Sequence, residues 1–239
     1  MSYRTRNINQ EWHRLIPSRF PPVEVYERLG RPEGDPELWA VAKELENKTN
    51  PRLQAKSWLL GKSPEFSESS PRLQNWNQAP FSYRNPEGST FLPAAYGVFE
   101  AVSGVRPALA RAVRRREIFL SRTSEPSTGL DMRMLITRVI GELVDLTDEP
   151  WEGDERRRRE IGRRIYDEGA HGILFRCPDE PTCLAVSIFD NGLLGRTVQG
   201  AHYRFVWDSA VIRKVYDFSD GMELSRAEIL QASQKRAAA

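Results

Sequence analysis

The chain has 239 residues, of which 39% are hydrophobic and 28% are charged. This length and hydrophobic content are enough for the core of one large domain or two small ones. Its net charge of +2 gives no strong overall field to attract nucleic acid. No run approaches the roughly 20 apolar residues that cross a membrane, and two cysteines do not form a disulfide framework in a chain of this length. Residues 1–10 are polar and lack the apolar core of a signal peptide, so we expect a cytoplasmic protein.

A turn cluster of Pro, Glu, Gly and Asp at residues 32–36 precedes the first predicted helix. Asp35 is placed to cap this helix and Pro36 to occupy its first position, which predicts a helix over residues 36–46. Residues 63–80 are rich in Ser, Pro, Asn and Gln and predict a long, inserted loop. Trp76 in this loop either pins the loop to the core or faces a ligand or partner.

The middle of the chain predicts a turn, a strand and a helix. Pro-Glu-Gly at residues 86–88 indicates a tight turn, and residues 96–101 a short strand entering the core. Residues 107–120 predict a helix with proline in its first turn. At 100° per residue its apolar positions share one face, whereas the polar side carries Arg111, Arg114 and Arg115.

The carboxy-terminal half mixes strands with one highly charged helix. Strands are predicted over residues 131–140, 172–175 and 184–189, and a helix over residues 154–168, ended by Gly169. Strands mixed with a few helices predict a single α+β domain. The polar, alanine-rich tail at residues 230–239 is expected to fray.

Two motifs in the middle of the chain resemble a known family. Asn-Pro-Glu-Gly-Ser-Thr-Phe at residues 85–91 and Tyr-Gly-Val-Phe-Glu-Ala at residues 96–101 are similar to Asn-Pro-Glu-Gly-Ser-Arg-Phe and Tyr-Gly-Val-Tyr-Tyr-Ala of RES-domain proteins. These proteins are bacterial toxins that consume NAD⁺ and are usually encoded beside an antitoxin. The resemblance implies a mixed central sheet with flanking helices, similar to the fold of ADP-ribosyltransferases.

Further segments extend the resemblance in order over residues 12–216. Residues 13–22 are similar to the opening strand and loop, and residues 44–52 to the first helix, which Asn50-Pro51 breaks. Residues 171–174 are similar to the strand before the family's Ser, and the closing pattern is matched by His202, Trp207 and Asp208.

The family's functional positions fall on different residue types in this chain. The family Arg falls on Thr90, the Tyr on Phe99, the Glu on Arg111 and the Ser on Cys177. An arginine holds a pyrophosphate through paired hydrogen bonds, and a carboxylate stabilises the cation-like ribose that forms as nicotinamide leaves. Arg111 in place of the carboxylate would repel that cation. The substitutions therefore indicate a scaffold that has lost the family chemistry.

One carboxylate is close enough in sequence to replace the missing one. Glu100 is that candidate, but alternation along a strand places it on the opposite face from Phe99. A bound ligand is expected to contact Arg14, Tyr96 and Arg111.

The densest charge run consists of Arg156, Arg157, Arg158 and Arg159, continued by arginines at residues 163–164. Acidic neighbours at helical spacing favour a solvated helix face, and the alternative is a surface for an anion or an acidic partner. Arginine and tryptophan are enriched at binding hot spots, so we expect a partner to contact these arginines and Trp76. Direct nucleic-acid recognition is not expected, because no recognition motif is present.

The two cysteines do not indicate a metal site. Cys177 and Cys183 are separated by five residues, which is outside standard zinc spacing, and no paired histidines accompany them. We interpret them as buried thiols. A nucleophilic Cys177 is the alternative, although the sequence assigns it no partner base.

Two hypotheses about function follow. The first is a non-catalytic RES-fold protein that needs no cofactor. It binds a nucleotide-like ligand or a protein: an antitoxin-like protein, another RES protein or a second copy. The second is an active NAD⁺ glycohydrolase, phosphorylase or ADP-ribosyltransferase with a rearranged site. The substitutions at Thr90, Phe99, Arg111 and Cys177 favour the first.

Overall fold

The computed structural model describes residues 3–19, 36–62, 70–151, 154–177 and 180–231. The strands are β1 (Thr5–Pro17), β2 (Phe99–Val102), β3 (Thr128–Asp145), β4 (Gly172–Cys177), β5 (Glu180–Ile188), β6 (Val198–Trp207), β7 (Ile212–Asp217) and β8 (Glu223–Ser225). The α-helices are α1 (Pro36–Thr49), α2 (Pro51–Lys62), α3 (Asn75–Ser82), α4 (Val105–Leu120), α5 (Glu155–Asp167) and α6 (Arg226–Gln231). Short 3₁₀ turns span Pro71–Leu73 and Asn191–Leu193.

The eight strands form one mixed sheet in the order β1-β2-β5-β4-β3-β6-β7-β8. Strands β3 and β4 are parallel, and the other pairings are antiparallel. Strand β1 pairs with both β2 and β3, so strands β1, β2, β5, β4 and β3 close into a ring. The predicted α+β class with a mixed sheet and flanking helices is confirmed.

Two apolar clusters lie on the two sides of this ring. One contains side chains from all five ring strands, including Trp12, Phe99 and Val186, and therefore fills the interior. The other lies outside, where α4 and α5 pack on the sheet through residues such as Val113 and Ile165. Alternation along β2 sends Phe99 inward and the next side chain outward.

Most predicted elements are present, and several are longer than predicted. Helices α1, α4 and α5 confirm the predictions over residues 36–46, 107–120 and 154–168. Asp154 caps α5 by accepting a hydrogen bond from the Arg157 backbone N–H at 2.8 Å. The predicted cap Asp35, the carboxy-terminal residues 232–239 and the loop at residues 20–22 lie outside the described residues.

The prediction of a long loop over residues 63–80 is wrong from residue 71 onward. Residues 63–69 lie outside the described part, but a 3₁₀ turn and α3 follow them. The buried Asn77 amide donates to the carbonyls of Pro71 at 2.9 Å and Gly195 at 2.8 Å. Thr197 donates its hydroxyl to Asn77 Oδ1 at 2.5 Å. These long-range hydrogen bonds order the segment, so its polar composition reflects tertiary contacts and not solvent exposure.

Among the residues that the structure describes, no helix is both long and apolar enough to cross a membrane.

Candidate ligand-binding cleft

A cleft opens where β1 and β2 separate. The two strands pair only at His13 and Val102, although β1 continues to Pro17 and β2 begins at Phe99. The cleft between them has a volume of about 200 Å³. It is lined by Arg14, Leu15 and Ile16 of β1, by Asn85, Gly88, Ser89, Tyr96 and Val98 before β2, and by Glu100 and Arg115.

Glu100 lies at the centre of a hydrogen-bonded cluster beside the cleft. Its side chain is 7% exposed, and Oε2 accepts from Arg111 at 2.8 Å and from Arg115 at 2.6 Å. Oε1 accepts from the Thr90 backbone N–H at 2.8 Å and from the Ser187 hydroxyl at 3.2 Å. Both carboxylate oxygens are therefore engaged by the chain itself. We call Glu100, Arg111, Arg115, Thr90 and Ser187 the Glu100 cluster.

The environment of Glu100 fixes its protonation state. Burial by itself would raise the pKa of this carboxyl group, but the charges of Arg111 and Arg115 and the hydrogen bonds from Thr90 outweigh burial. The net effect holds the pKa of Glu100 well below its usual range. Glu100 is thus ionised at neutral pH and is a poor proton donor or acceptor.

Arg14 is the second charged group of the cleft. Burial lowers its pKa to about 10, so it remains protonated at neutral pH. Its guanidinium lies 4.7 Å from the Phe99 ring centroid, and Nη2 donates to the Trp76 carbonyl at 2.5 Å. Among the described residues, its buried Nε has no hydrogen-bond partner and no ion pair includes Arg14. A half-buried guanidinium without a carboxylate partner favours a negative charge nearby.

Comparison with known proteins identifies the family of this chain. The RES domain profile matches residues 70–208. The chain belongs to the RES-domain family. The uncharacterized protein y4oC of Sinorhizobium fredii is 43% identical over 223 residues, which cover 93% of this chain and 94% of that protein. The M. tuberculosis MbcT–MbcA toxin–antitoxin complex includes a chain that is 12% identical, with a TM-score of 0.36 over 58% of this chain and 80% of that one.

Three of the four carried-over RES positions lie together in the structure. Thr90 and Arg111 belong to the Glu100 cluster, with Arg111 Nη2 at 3.5 Å from Thr90 Oγ1. Cys177 lies close enough to Arg111 for the guanidinium charge to lower the pKa of the thiol, although the Cys183 hydrogen bond and burial raise that pKa by more. Phe99 lies on the opposite face of β2 from Glu100, as predicted, so Glu100 does not occupy the space of the RES tyrosine position.

Arg111 lies on the side of α4 that was predicted to be polar, but its side chain does not extend into solvent there. Its side chain is 25% exposed and turns toward β2, because Glu100 offers a charged partner there. Burial and then the neighbouring Arg115 lower the pKa of Arg111, with Glu100 opposing both. The sequence predicts that Arg111 binds a ligand. In the structure, its guanidinium group is already paired with the Glu100 carboxylate.

The two cysteines form a close pair of free thiols. Cys177 Sγ lies 2.8 Å from Cys183 Sγ and donates its S–H to it. That hydrogen bond and burial raise the pKa of Cys177, which keeps the thiol protonated at neutral pH. Cys183 is buried as predicted, whereas Cys177 is only half-buried. A protonated thiol is a weak nucleophile.

The segment at residues 85–92 is held in place by α5. Gly88 adopts φ +75°, which favours glycine, and Asn85 Nδ2 donates to its carbonyl at 2.6 Å. Arg159 donates to the carbonyls of Ser89 at 2.6 Å and Glu87 at 2.9 Å, and also to that of Leu92. Arg159 therefore shapes the cleft wall and is only 19% exposed, and its contact with a partner stays a prediction.

The other predicted binding residues have distinct surroundings. Tyr96 lines the cleft and packs on Tyr166 at a centroid distance of 4.8 Å. Trp76 lies on α3 with its indole N–H buried, so its polar tip is not available to a partner. Arg156 and Arg157 are exposed on α5, and Arg158 is half-buried there.

Sequence reasoning missed two members of the Glu100 cluster, Arg115 and Ser187. Arg115 was detectable, because it lies four residues after Arg111 and hence on the same helix side. Ser187 reaches Glu100 only through the pairing of β2 with β5, and no local signal marks that pairing.

Proposed function

We propose that this RES-domain protein does not cleave NAD⁺ and acts as a binding or regulatory protein whose cleft takes a small anion or an anionic, nucleotide-like group. The observation that supports the proposal is the Glu100 cluster. Glu100 is the one carboxylate among the described residues that line the cleft, and both of its oxygens accept hydrogen bonds from the protein.

Charge balance in the cluster opposes the family reaction. Cleavage of the bond to nicotinamide develops positive charge on the ribose, which a free carboxylate stabilises. One carboxylate and two guanidinium groups give the Glu100 cluster a formal charge of +1. At an effective dielectric near 20, unit charges about 4 Å apart interact by roughly 4 kcal/mol. That energy corresponds to about a thousandfold in rate, so a cationic cluster is a strong obstacle to catalysis.

The same charge balance favours anions. Arg14 is half-buried and protonated, and the neighbouring Arg115 adds a second positive charge to the lining. A volume of about 200 Å³ lies below the range of about 300–1,000 Å³ that is typical of sites for drug-sized ligands, and a dinucleotide is larger still. We therefore expect a small anion to bind in the cleft and NAD⁺ to bind weakly or not at all.

Calorimetry with two probes, inorganic pyrophosphate and NAD⁺, tests this binding proposal. Pyrophosphate is expected to bind the wild-type protein and to lose at least about tenfold in affinity in Arg14→Met, because a charge-assisted contact is removed. Arg156→Met is the matched control, since Arg156 is 88% exposed and lies on α5. Micromolar affinity for NAD⁺, or pyrophosphate binding that is unchanged in Arg14→Met, would contradict the proposal.

The second half of the proposal is that the protein associates with another protein. A fold that no longer catalyses a reaction is retained most readily if it serves as a binding surface. The proposed partner is an antitoxin-like protein, another RES-domain protein or a second copy of the chain. Light scattering and a pull-down that both return only monomer would reject it. Charge reversal at Arg156, Arg157 and Arg158 tests the site, and Arg159 is left intact because it holds the cleft wall.

A further inference from the structure

A second cavity lies away from the cleft and shares no lining residue with it. Its volume is about 520 Å³, within the range of about 300–1,000 Å³ typical of small-molecule sites. It is lined by Pro51 and Trp58 of α2, Gln78, Phe81 and Ser82 of α3, Arg72, Arg84, and Phe189 to Asn191.

Gln78 gives this cavity a specific polar group. The residue is 2% exposed, and neither Nε2 nor Oε1 of its side chain has a hydrogen-bond partner within the described structure. The adjacent Asn77, in contrast, uses its amide in three hydrogen bonds. Buried amides are almost always paired, because an unpaired one destabilises the fold. Gln78 lines the cavity, so a rotation of its side chain brings one donor and one acceptor, side by side, to a ligand that offers the opposite pair.

The remaining lining residues complement a flat, negatively charged molecule. Trp58 is 58% exposed, and Phe81 and Phe189 add two further aromatic rings. Aromatic side chains of this kind stack on planar heterocycles. Arg84 is exposed at the cavity, and none of the ion pairs within the described residues includes it.

We propose that this cavity binds an adenine mononucleotide. Gln78 pairs with the adenine edge that carries the N6 amino donor beside the N7 acceptor, a contact for which a glutamine amide has the matching geometry. The ring packs against the aromatic side chains, and the phosphate lies toward Arg84. This site is independent of the cleft proposed above, because the two cavities have no residue in common.

Titration of the full chain with AMP, adenosine and GMP tests the site. AMP is expected to bind saturably, and GMP at least tenfold more weakly, because guanine presents two acceptors on the equivalent edge. Gln78→Leu is expected to weaken AMP binding at least tenfold. Arg84→Met, at an exposed position, is expected to weaken AMP binding but to leave adenosine binding unchanged.

The cleft variant Arg115→Met separates this site from the cleft and is expected to bind AMP as the wild type does, because Arg115 lines only the cleft. Absence of saturable AMP binding at millimolar concentration would overturn the proposal. So would AMP affinity that is lost in Arg115→Met and kept in both Gln78→Leu and Arg84→Met, since AMP would then lie in the cleft. Circular dichroism of each variant verifies the fold, and the exposed Arg84 keeps the test decisive if Gln78→Leu does not fold.

Discussion

Replacement of Glu100 by glutamine is expected to destabilise the protein strongly. Removing one partner of a buried ion pair costs about 3–5 kcal/mol. Glu100 is 7% exposed, but Arg111 is 25% and Arg115 is 51% exposed, so water recovers part of that loss. We therefore expect a loss of about 2–3 kcal/mol in the free energy of unfolding at pH 7, which lowers the Tm by about 4–12 °C for a domain of this size.

The destabilisation should depend on pH. Because the pKa of Glu100 is lower in the folded than in the unfolded chain, the ionised carboxylate stabilises the fold above the unfolded pKa of about 4.3. That stabilisation is lost as the pH falls through the folded pKa. The difference in Tm between wild type and Glu100→Gln should accordingly be complete at pH 7 and smaller at pH 3.

Thermal unfolding followed by circular dichroism measures both effects. Glu160→Gln is the matched control, because Glu160 pairs with Arg156 at 3.0 Å and both side chains are more than half exposed. Exposed pairs on one helix contribute about 0.3–0.5 kcal/mol, so the control should unfold within about 2 °C of wild type. A Glu100→Gln variant that is as stable as the control at pH 7, or a difference that does not change with pH, would refute the reasoning.

Three further predictions concern the cleft wall, the packing of α5 and the thiols. Arg159→Met should lose about 1–3 kcal/mol in the free energy of unfolding and expose residues 85–92 to proteolysis, because two backbone carbonyls lose their donor and that of Leu92 loses one of several, whereas Arg156→Met should do neither. Gly162→Ala should lose about 2–3 kcal/mol in urea unfolding, since its Cβ would lie 2.5 Å from Phe91 Cβ. A Cβ at Gly61 would have no atom within 4 Å, so Gly61→Ala should raise the free energy of unfolding by about 0.5 kcal/mol. Equal effects of the two alanine substitutions would contradict the close packing of α5 on Phe91. At pH 7.5 iodoacetamide should label Cys177 at least about tenfold more slowly in the folded than in the unfolded protein, because the raised pKa keeps the side chain a thiol. If Cys177 of the folded protein were labelled completely within minutes, the prediction would be wrong.

The sequence predicted those elements whose signals are local. Helix α4 was predictable because its apolar positions repeat with helical period, and α5 because Asp154 and Gly169 mark its ends. Strands β6 to β8 were not assigned as strands, since their pairings depend on distant segments. Helix α3 was missed for a related reason: the hydrogen bonds of Asn77 reach residue 195 across the fold.

The site was predictable only in part. Alternation along β2 correctly placed Glu100 and Phe99 on opposite faces. A helical projection alone could not show that Arg111 turns inward, because that direction is set by the charge of Glu100 on a neighbouring strand. The same applies to Arg159, whose acceptors are backbone carbonyls about 70 residues earlier in the chain.

The central claim is that the Glu100 cluster leaves this RES-domain protein without NAD⁺-cleaving activity. The most direct test measures NAD⁺ consumption by the purified wild-type protein and by Glu100→Gln, together with the growth of cells that express each. We predict no NAD⁺ loss above background and no growth arrest for either protein. Rapid NAD⁺ loss by the wild type that disappears in a folded Glu100→Gln variant would contradict the claim and would identify Glu100 as the carboxylate of a rearranged catalytic site.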